Sequence, residues 1–188
     1  NWGGFHYKII GKNKDNILQY EGGWQNNRQA PMHDKFKYVE NVFEELNQPG
    51  EWYFNKNENE LYYYPQEGVD LKTAKVEVAN LNHCIEVKGR ENKPLCNLRI
   101  KGIVFKHTAR TFMLTKEPLL RSDWTIYRGG SILLTNTEGC SIEDCEFDQV
   151  GGNAIFIDKY NKQTLIRGCH IHDTGASGIC FVGDPNAV

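Results

Sequence analysis

The chain has 188 residues, of which 39% are hydrophobic, with 22 basic and 24 acidic side chains. This composition is sufficient for a packed core and excludes an intrinsically disordered chain. The net charge of −2 gives no electrostatic reason to expect nucleic acid or an anionic membrane as a partner, and no apolar run reaches membrane-spanning length.

The first segment, residues 1–73, is rich in aromatic residues and has no internal repeat. Between residues 50 and 65, two aromatic runs flank a polar turn, which predicts a β-hairpin that ends at Pro65. Residues 38–46 mix apolar and acidic side chains and predict a strand or a short helix. We therefore expect an aromatic-rich β module that is packed on, or inserted in, the rest of the chain.

The aromatic side chains of this module have two interpretations. Most are expected to form its core, and we assign Trp52, Tyr53 and Leu61 to that core. A few others are candidates for sugar contact, because flat apolar rings stack on sugar faces. Trp24 and His6, which stand in glycine-rich stretches, are the candidates for substrate binding.

The second segment, residues 74–188, carries a repeat. Residues 100–109, 142–151 and 166–175 share one pattern of apolar, Gly or Asp, and small positions, and the last two copies are 24 positions apart. Short strands that recur at a period in the twenties, separated by Gly, Asn or Asp turns, are typical of a solenoid. The sequence therefore predicts an all-β fold, a right-handed parallel β-helix, in preference to a β-sandwich.

A loop interrupts the repeat, because the first two copies are 42 positions apart. The excess falls at about residues 110–128, which include Phe112, Arg121 and Trp124. Long loops on a rigid scaffold often carry function, so Arg121 and Trp124 are predicted to contact substrate. The alternative is a flap that only packs against the coils.

The cysteines do not form a metal-binding pattern. Cys145 and Cys169 occupy the same repeat position and are expected to stack inward as small hydrophobic side chains. No CxxC or Cys/His zinc spacing is present, so the sequence predicts neither a metal ion nor another cofactor.

The two ends of the sequence suggest a piece of a longer protein. The chain opens at Asn1 without a Met or a signal peptide, and it stops at Val188 just after a repeat strand. Solenoid ends need a polar cap. We therefore expect further β-helix coils of the parent chain to be partners of this fragment.

Three stretches resemble a known group of proteins. Residues 38–53, 61–65 and 170–179 are similar to bacterial β-helix carbohydrate enzymes, most of all to proteins grouped with glycoside hydrolase family 141. The resemblance covers most of the chain. It implies a secreted or periplasmic bacterial protein that uses a pair of acidic residues to cleave glycosidic bonds in complex polysaccharide, such as that of plant cell walls. Fucosidase and xylanase activities are associated with this family.

Equivalent positions of successive coils form columns, because neighbouring strands lie about 4.8 Å apart. The polar columns are Lys101, Glu143 and Arg167; Val104, Glu146 and His170; Lys106, Asp148 and His172; and His107, Gln149 and Asp173. The first column, with alternating charge signs, is interpreted as a surface charge ladder in which each pair contributes roughly 0–1 kcal/mol.

Asp148 and Asp173 are the predicted catalytic residues. They stand on adjacent coils, displaced by one position, which predicts a carboxyl separation of about 5–10 Å, the range that glycoside hydrolysis uses. One carboxyl group would protonate the leaving oxygen, and the other would attack the anomeric carbon or activate water. His172 would orient a carboxylate or bind a substrate hydroxyl, and Asp184 is a further substrate-binding candidate. The alternative is that Asp173 and Asp184 only cap turns.

Two other functions remain open at this point. A polysaccharide lyase would need Ca²⁺ or a basic residue beside a uronate, with several converging carboxylates. The outward carboxylates of this chain alternate with basic residues, which favours hydrolysis. A non-catalytic carbohydrate-binding β-helix predicts no close carboxylate pair.

Overall fold

A computed structural model describes residues 4–24, 29–114, 117–118 and 125–186. A turn of 3₁₀ helix spans Phe43–Glu45. The strands of the first half are β1 (Tyr7–Lys12), β2 (Leu18–Gly22), β3 (Trp52–Asn55), β4 (Glu60–Tyr63), β5 (Ile85–Lys88), β6 (Leu95–Cys96), β7 (Arg99–Lys101) and β8 (Val104–Lys106). The strands of the second half are β9 (Glu117–Pro118), β10 (Thr125–Ile126), β11 (Ile132–Glu138), β12 (Ser141–Glu143), β13 (Glu146–Asp148), β14 (Ile155–Lys162), β15 (Leu165–Arg167), β16 (His170–His172) and β17 (Ile179–Val182).

The repeat segment winds as a parallel β-helix. One sheet has the order β17-β14-β11-β5, with β6 also paired to β11, and the two others have the orders β15-β12-β7 and β16-β13-β8. All the pairs in these three sheets are parallel. Each coil therefore adds one strand to each sheet, and the predicted all-β solenoid is confirmed. Ile142 lies opposite Ile166, so the coils follow the 24-residue period.

The corners between the sheets repeat from coil to coil. Residues with positive φ, between 49° and 68°, stand in three columns: Asn97, Gly139 and Gln163; Gly102, Asp144 and Gly168; and His107, Gln149 and Asp173. Gly, Asn and Asp tolerate this left-handed conformation best, which explains their recurrence in the turns. At these three corners the bend falls at an equivalent residue in each coil, whereas β11 and β14 shift register between Thr135 and Thr137, beside the positive-φ residues Asn136 and Lys159.

The core lies inside the coils. Side chains alternate along each strand, so every second one points into this core. The buried column members include Ile132, Leu134, Ile142, Phe147, Ile155 and Ile157. The rings of Phe105 and Phe147 stack with their centroids 4.9 Å apart. Cys145 is fully buried and Cys169 packs against the same core. The predicted inward stacking of these two thiols is therefore confirmed, and all six cysteines are free in the structure.

The loop between the first and second repeat copies is partly described. Its strands β9 and β10 pair antiparallel. Arg128 donates to both carboxylate oxygens of Glu117 at 2.7 Å and to Asp158 Oδ1 at 2.6 Å. This forked contact anchors the loop to β14 of the coils. Arg121 and Trp124, the predicted substrate contacts, lie outside the described residues.

The chain divides into two compact units. One is Met32–Glu77, and the other comprises the described residues of Asn1–Pro31 and Val78–Val188. These limits differ from the boundary at residue 73 that the sequence pattern suggests, since β1 and β2 group with the coils. The assignment of residues 1–73 as a separate module stays a prediction.

The unit Met32–Glu77 contains the expected hairpin, because β3 and β4 pair antiparallel. Tyr53 makes ring contacts with Phe43 and is half-buried. The core assignment of Trp52 and Leu61 is wrong, because their side chains are 57% and 45% exposed. Alternate side chains of a two-stranded hairpin point to opposite faces, so only the face that carries Tyr53 packs on the 3₁₀ turn.

Candidate functional site

Five polar residues of two adjacent coils converge on one outer face. Strands β13 and β16 pair in register, with Glu146 opposite His170 and Asp148 opposite His172. Phe147, between the two acids, points into the core, so both acids point outward. Asp173 follows β16 at the corner. We call Glu146, Asp148, His170, His172 and Asp173 the acid–histidine patch.

His172 is the centre of the patch. Its Nδ1 lies 3.0 Å from Asp173 Oδ2 and 3.7 Å from Asp148 Oδ1, and its Nε2 lies 3.3 Å from Glu146 Oε1. The hydrogen bonds to Asp173 and Glu146, in that order, raise the pKa of His172 against a smaller opposing effect of desolvation. One imidazole therefore connects three carboxylates from two coils.

Asp148 is the enclosed acid of the patch, with a side chain only 10% exposed. Its Oδ2 lies 2.5 Å from Lys106 Nζ, because β8 pairs with β13 so that Lys106 stands opposite Asp148. This hydrogen bond and the charge of Lys106 lower the pKa of Asp148, and the same contact raises the pKa of Lys106. Asp148 is thus held as a carboxylate.

Asp173 is the open acid, with a side chain 75% exposed and a backbone φ of 49°. One oxygen of Asp148, one oxygen of Asp173 and one ring nitrogen of His172 all lie within 4.8 Å of one another. The structure therefore brings the two predicted catalytic carboxylates and the predicted orienting histidine together. Their catalytic role stays a prediction.

Asp184, another predicted substrate contact, makes its contacts with Asn186 and Lys159, outside the acid–histidine patch. Its Oδ1 accepts a hydrogen bond of 2.8 Å from the backbone N–H of Asn186, and its Oδ2 lies 3.4 Å from Lys159 Nζ. The bonds from Asn186, ahead of Lys159, lower the pKa of Asp184. These are the contacts of a turn-capping aspartate.

His6 and Trp24, the predicted substrate contacts of the N-terminal segment, make their contacts with residues outside the acid–histidine patch. The His6 ring stacks on Phe112 with centroids 3.9 Å apart. The Trp24 side chain is exposed, and its backbone carbonyl accepts a hydrogen bond of 2.8 Å from Thr125 Oγ1. Both contacts tie the N-terminal strands to the loop, and substrate binding by either residue stays a prediction.

The charge column around Glu143 differs from its sequence interpretation. Glu143 is buried, with 4% exposure, and its carboxylate lies 2.8 Å from Arg99 Nε and 2.5 Å from an Arg167 nitrogen. The hydrogen bond from Arg167, then that from the Ser141 hydroxyl and then that from Arg99, lower the pKa of Glu143 to about 2. Lys101 instead pairs with Asp144 at 3.1 Å. The predicted Glu143–Arg167 pair is therefore present, whereas the pair with Lys101 and the surface position of Glu143 are wrong, because Arg99 reaches diagonally across the sheet and helps to enclose the acid.

The sequence reasoning placed Lys106, Glu146 and His170 in the correct columns but gave them no role. The structure shows Lys106 on Asp148 and Glu146 on His172. The signal that could have identified them is the set of four outward polar positions on two in-register strands. In both pairs an acid stands opposite a histidine, Glu146 opposite His170 and Asp148 opposite His172.

Comparison with known proteins agrees with this architecture. The family model described as a right-handed β-helix region matches residues 61–188. The chain therefore belongs to the right-handed β-helix family, and this membership fits a carbohydrate-active protein in general. No curated protein and no solved structure matches the chain. Among the described residues, no helix is both long and apolar enough to cross a membrane.

Proposed function

We propose that the chain is part of a glycoside hydrolase that cleaves polysaccharide through Asp148 and Asp173. The observation that carries the proposal is the meeting of one enclosed and one exposed carboxylate on the same imidazole, with oxygens within 4.8 Å. Glycoside hydrolysis generally uses two carboxyl groups in different environments. A secreted or periplasmic bacterial location, implied by the family resemblance, belongs to the same proposal.

The separation of the two carboxylates supports retention of configuration. Retaining enzymes hold their carboxyl groups about 5–5.5 Å apart, whereas inverting enzymes leave about 6.5–9.5 Å for a water molecule. One oxygen of Asp148 and one oxygen of Asp173 lie within 4.8 Å of each other, which is closer to the retaining separation than to the inverting one. The pair therefore fits direct attack by one carboxylate on the anomeric carbon.

The surroundings of each acid favour one division of roles. Lys106 keeps Asp148 charged, so Asp148 is the nucleophile that forms the glycosyl ester. Asp173 is the solvent-accessible carboxyl group of the pair, so we assign it the role of the acid that gives a proton to the leaving oxygen as the glycosidic bond breaks. A water molecule then loses a proton to the Asp173 carboxylate and hydrolyses the ester, which restores Asp148. His172 positions Asp173 through the bond at Nδ1.

The test is hydrolysis of plant cell-wall polysaccharides and oligosaccharides by the wild type and by Asp148→Asn and Asp173→Asn. We expect each variant to lose activity by at least about 10²-fold, which is the lower end of what a positioned proton donor usually contributes. Asp144→Asn is the matched control, because Asp144 is an exposed acid at a positive-φ corner of the same coils.

Two results would contradict the proposal. Either variant could hydrolyse as fast as Asp144→Asn, which would remove the assigned roles. Alternatively, the wild type could release no reducing ends from any polysaccharide in the panel, which would leave a binding function for the fold.

A further inference from the structure

The side chains of Glu146, His170 and His172 together have the composition of a metal site. Glu146 Oε1 lies 3.3 Å from His172 Nε2, and the rings of His170 and His172 are 4.4 Å apart between centroids. A carboxylate oxygen of Glu146 and a ring nitrogen of each histidine all lie within 4.8 Å of one another. The three residues belong to the in-register pair β13 and β16, so the backbone already fixes their spacing.

These distances are close to those of a metal centre. Ligands about 2.1 Å from a tetrahedral zinc ion are about 3.4 Å from one another. A shift of at most about 1.4 Å would therefore bring the most distant pair, within 4.8 Å, to this separation. His170 is exposed and can make this shift by turning its ring outward from the strand.

The hydrogen bond on the other nitrogen of His172 gives an independent indication. Metal-binding histidines usually donate their second N–H to a carboxylate, which fixes the tautomer and the direction of the ring. Nδ1 of His172 lies 3.0 Å from Asp173 Oδ2, so this nitrogen already has a carboxylate partner. The Nε2 atom is left facing Glu146, on the side where His170 stands.

We propose that Glu146, His170 and His172 bind a divalent first-row transition-metal ion, and that Asp173 is the positioning residue behind His172. Two imidazoles and one carboxylate suit Zn²⁺, Fe²⁺, Co²⁺, Ni²⁺ or Cu²⁺, whereas Ca²⁺ and Mg²⁺ prefer oxygen ligands. Val104, opposite Glu146 on the preceding coil, is apolar and adds no ligand. Three protein ligands leave coordination positions open to water or to a substrate oxygen.

A second group, Asp148, His172 and Asp173, has the same spacing but is a poorer ion site. Lys106 already neutralises Asp148 at 2.5 Å, and a cation placed there would meet this ammonium group. The ion is therefore assigned to the Glu146 side. This inference does not rest on glycoside hydrolysis, because the ligand set and its test involve no sugar.

The experiment measures binding of Zn²⁺ by calorimetry and of Co²⁺ by visible absorption, using the untagged chain. We expect one ion per chain, with Ca²⁺ giving no comparable heat. His170→Ala, His172→Ala and Glu146→Gln should each weaken Zn²⁺ binding by at least about 10-fold, and Asp173→Asn by about 10- to 100-fold, as is usual for outer-shell partners. The matched control is His107→Ala, because His107 is an exposed histidine that occupies, on an earlier coil, the corner position equivalent to Asp173.

Circular dichroism shows that each variant is folded before its binding is measured. Equal Zn²⁺ affinity for His172→Ala and the wild type overturns the proposal. So does a larger loss in Asp148→Asn than in Glu146→Gln, because that result places the ion on the other group. A failure to hydrolyse polysaccharide leaves every one of these readouts unchanged, so the two proposals fail separately.

Discussion

The aromatic stack inside the coils allows a sharp test of the architecture through Phe147→Ala. Phe147 is fully buried, and its ring packs on Phe105 at 4.9 Å between centroids. On the other side it lies opposite Ile171, whose side chain packs against the same core. The substitution therefore removes a ring that is enclosed by neighbouring coils.

The expected cost is large because the cavity has little freedom to collapse. Phe→Ala substitutions in cores cost about 3–5 kcal/mol, and loss of an aromatic pair adds about 0.5–1.5 kcal/mol. Hydrogen bonds to the strands above and below hold the backbone of β13 in place. We therefore expect the free energy of unfolding to fall by about 4–5 kcal/mol and the melting temperature by at least about 8 °C.

The assay is urea unfolding, with Phe181→Ala as the control because Phe181 is 68% exposed. The control should change the free energy of unfolding by no more than about 0.5 kcal/mol. A loss below about 1 kcal/mol for Phe147→Ala, or a loss equal to that of the control, would refute the enclosed position of the ring.

Three further predictions concern stability. The pKa of Glu143 is lowered to about 2 in the folded chain, against about 4.3 in the unfolded chain. The stability that the ionised Glu143 contributes is therefore fully present above about pH 4.3 and is lost as the pH falls through about 2. The urea midpoint of Glu143→Gln should accordingly approach that of the wild type in acid. A constant difference between pH 7 and pH 2 would contradict this. Asn153→Ala should cost about 1–3 kcal/mol in urea unfolding, because the side chain donates to the Gly129 carbonyl and accepts from the Ser177 N–H; an unchanged midpoint would show that these bonds contribute nothing. Gly151→Ala would place a Cβ atom 2.3 Å from the Thr108 carbonyl oxygen, so it should lower the melting temperature, and a tolerated alanine would rule out the close approach of these coils.

The repeat made the coil architecture predictable. Apolar residues at matching positions, such as Ile142 and Ile166, can be buried in every coil only if the strands stack in one register. The same register predicts which polar residues are neighbours, and it placed Asp148 beside His172. Glycine and aspartate in the turns likewise indicated the corners.

The remaining features depend on where long side chains point, and spacing along the chain does not determine that. Glu143 takes Arg99 rather than Lys101 because arginine reaches diagonally, and this encloses an acid that the pattern placed at the surface. Gln149 and Gln163 also adopt left-handed corners that their residue type rarely favours. Trp52 is exposed because aromatic residues occupy both faces of the hairpin, and periodicity alone does not identify the packed one.

The loop between the first two repeat copies lengthens one coil without disturbing its neighbours, since all three corner columns keep the same 42-position offset across it. A loop inserted in this way can change in sequence while the coils on either side of it keep their structure. Natural variants, or a designed library of grafted segments, can change the length and composition of this loop while the buried stack and the acid–histidine patch keep their geometry.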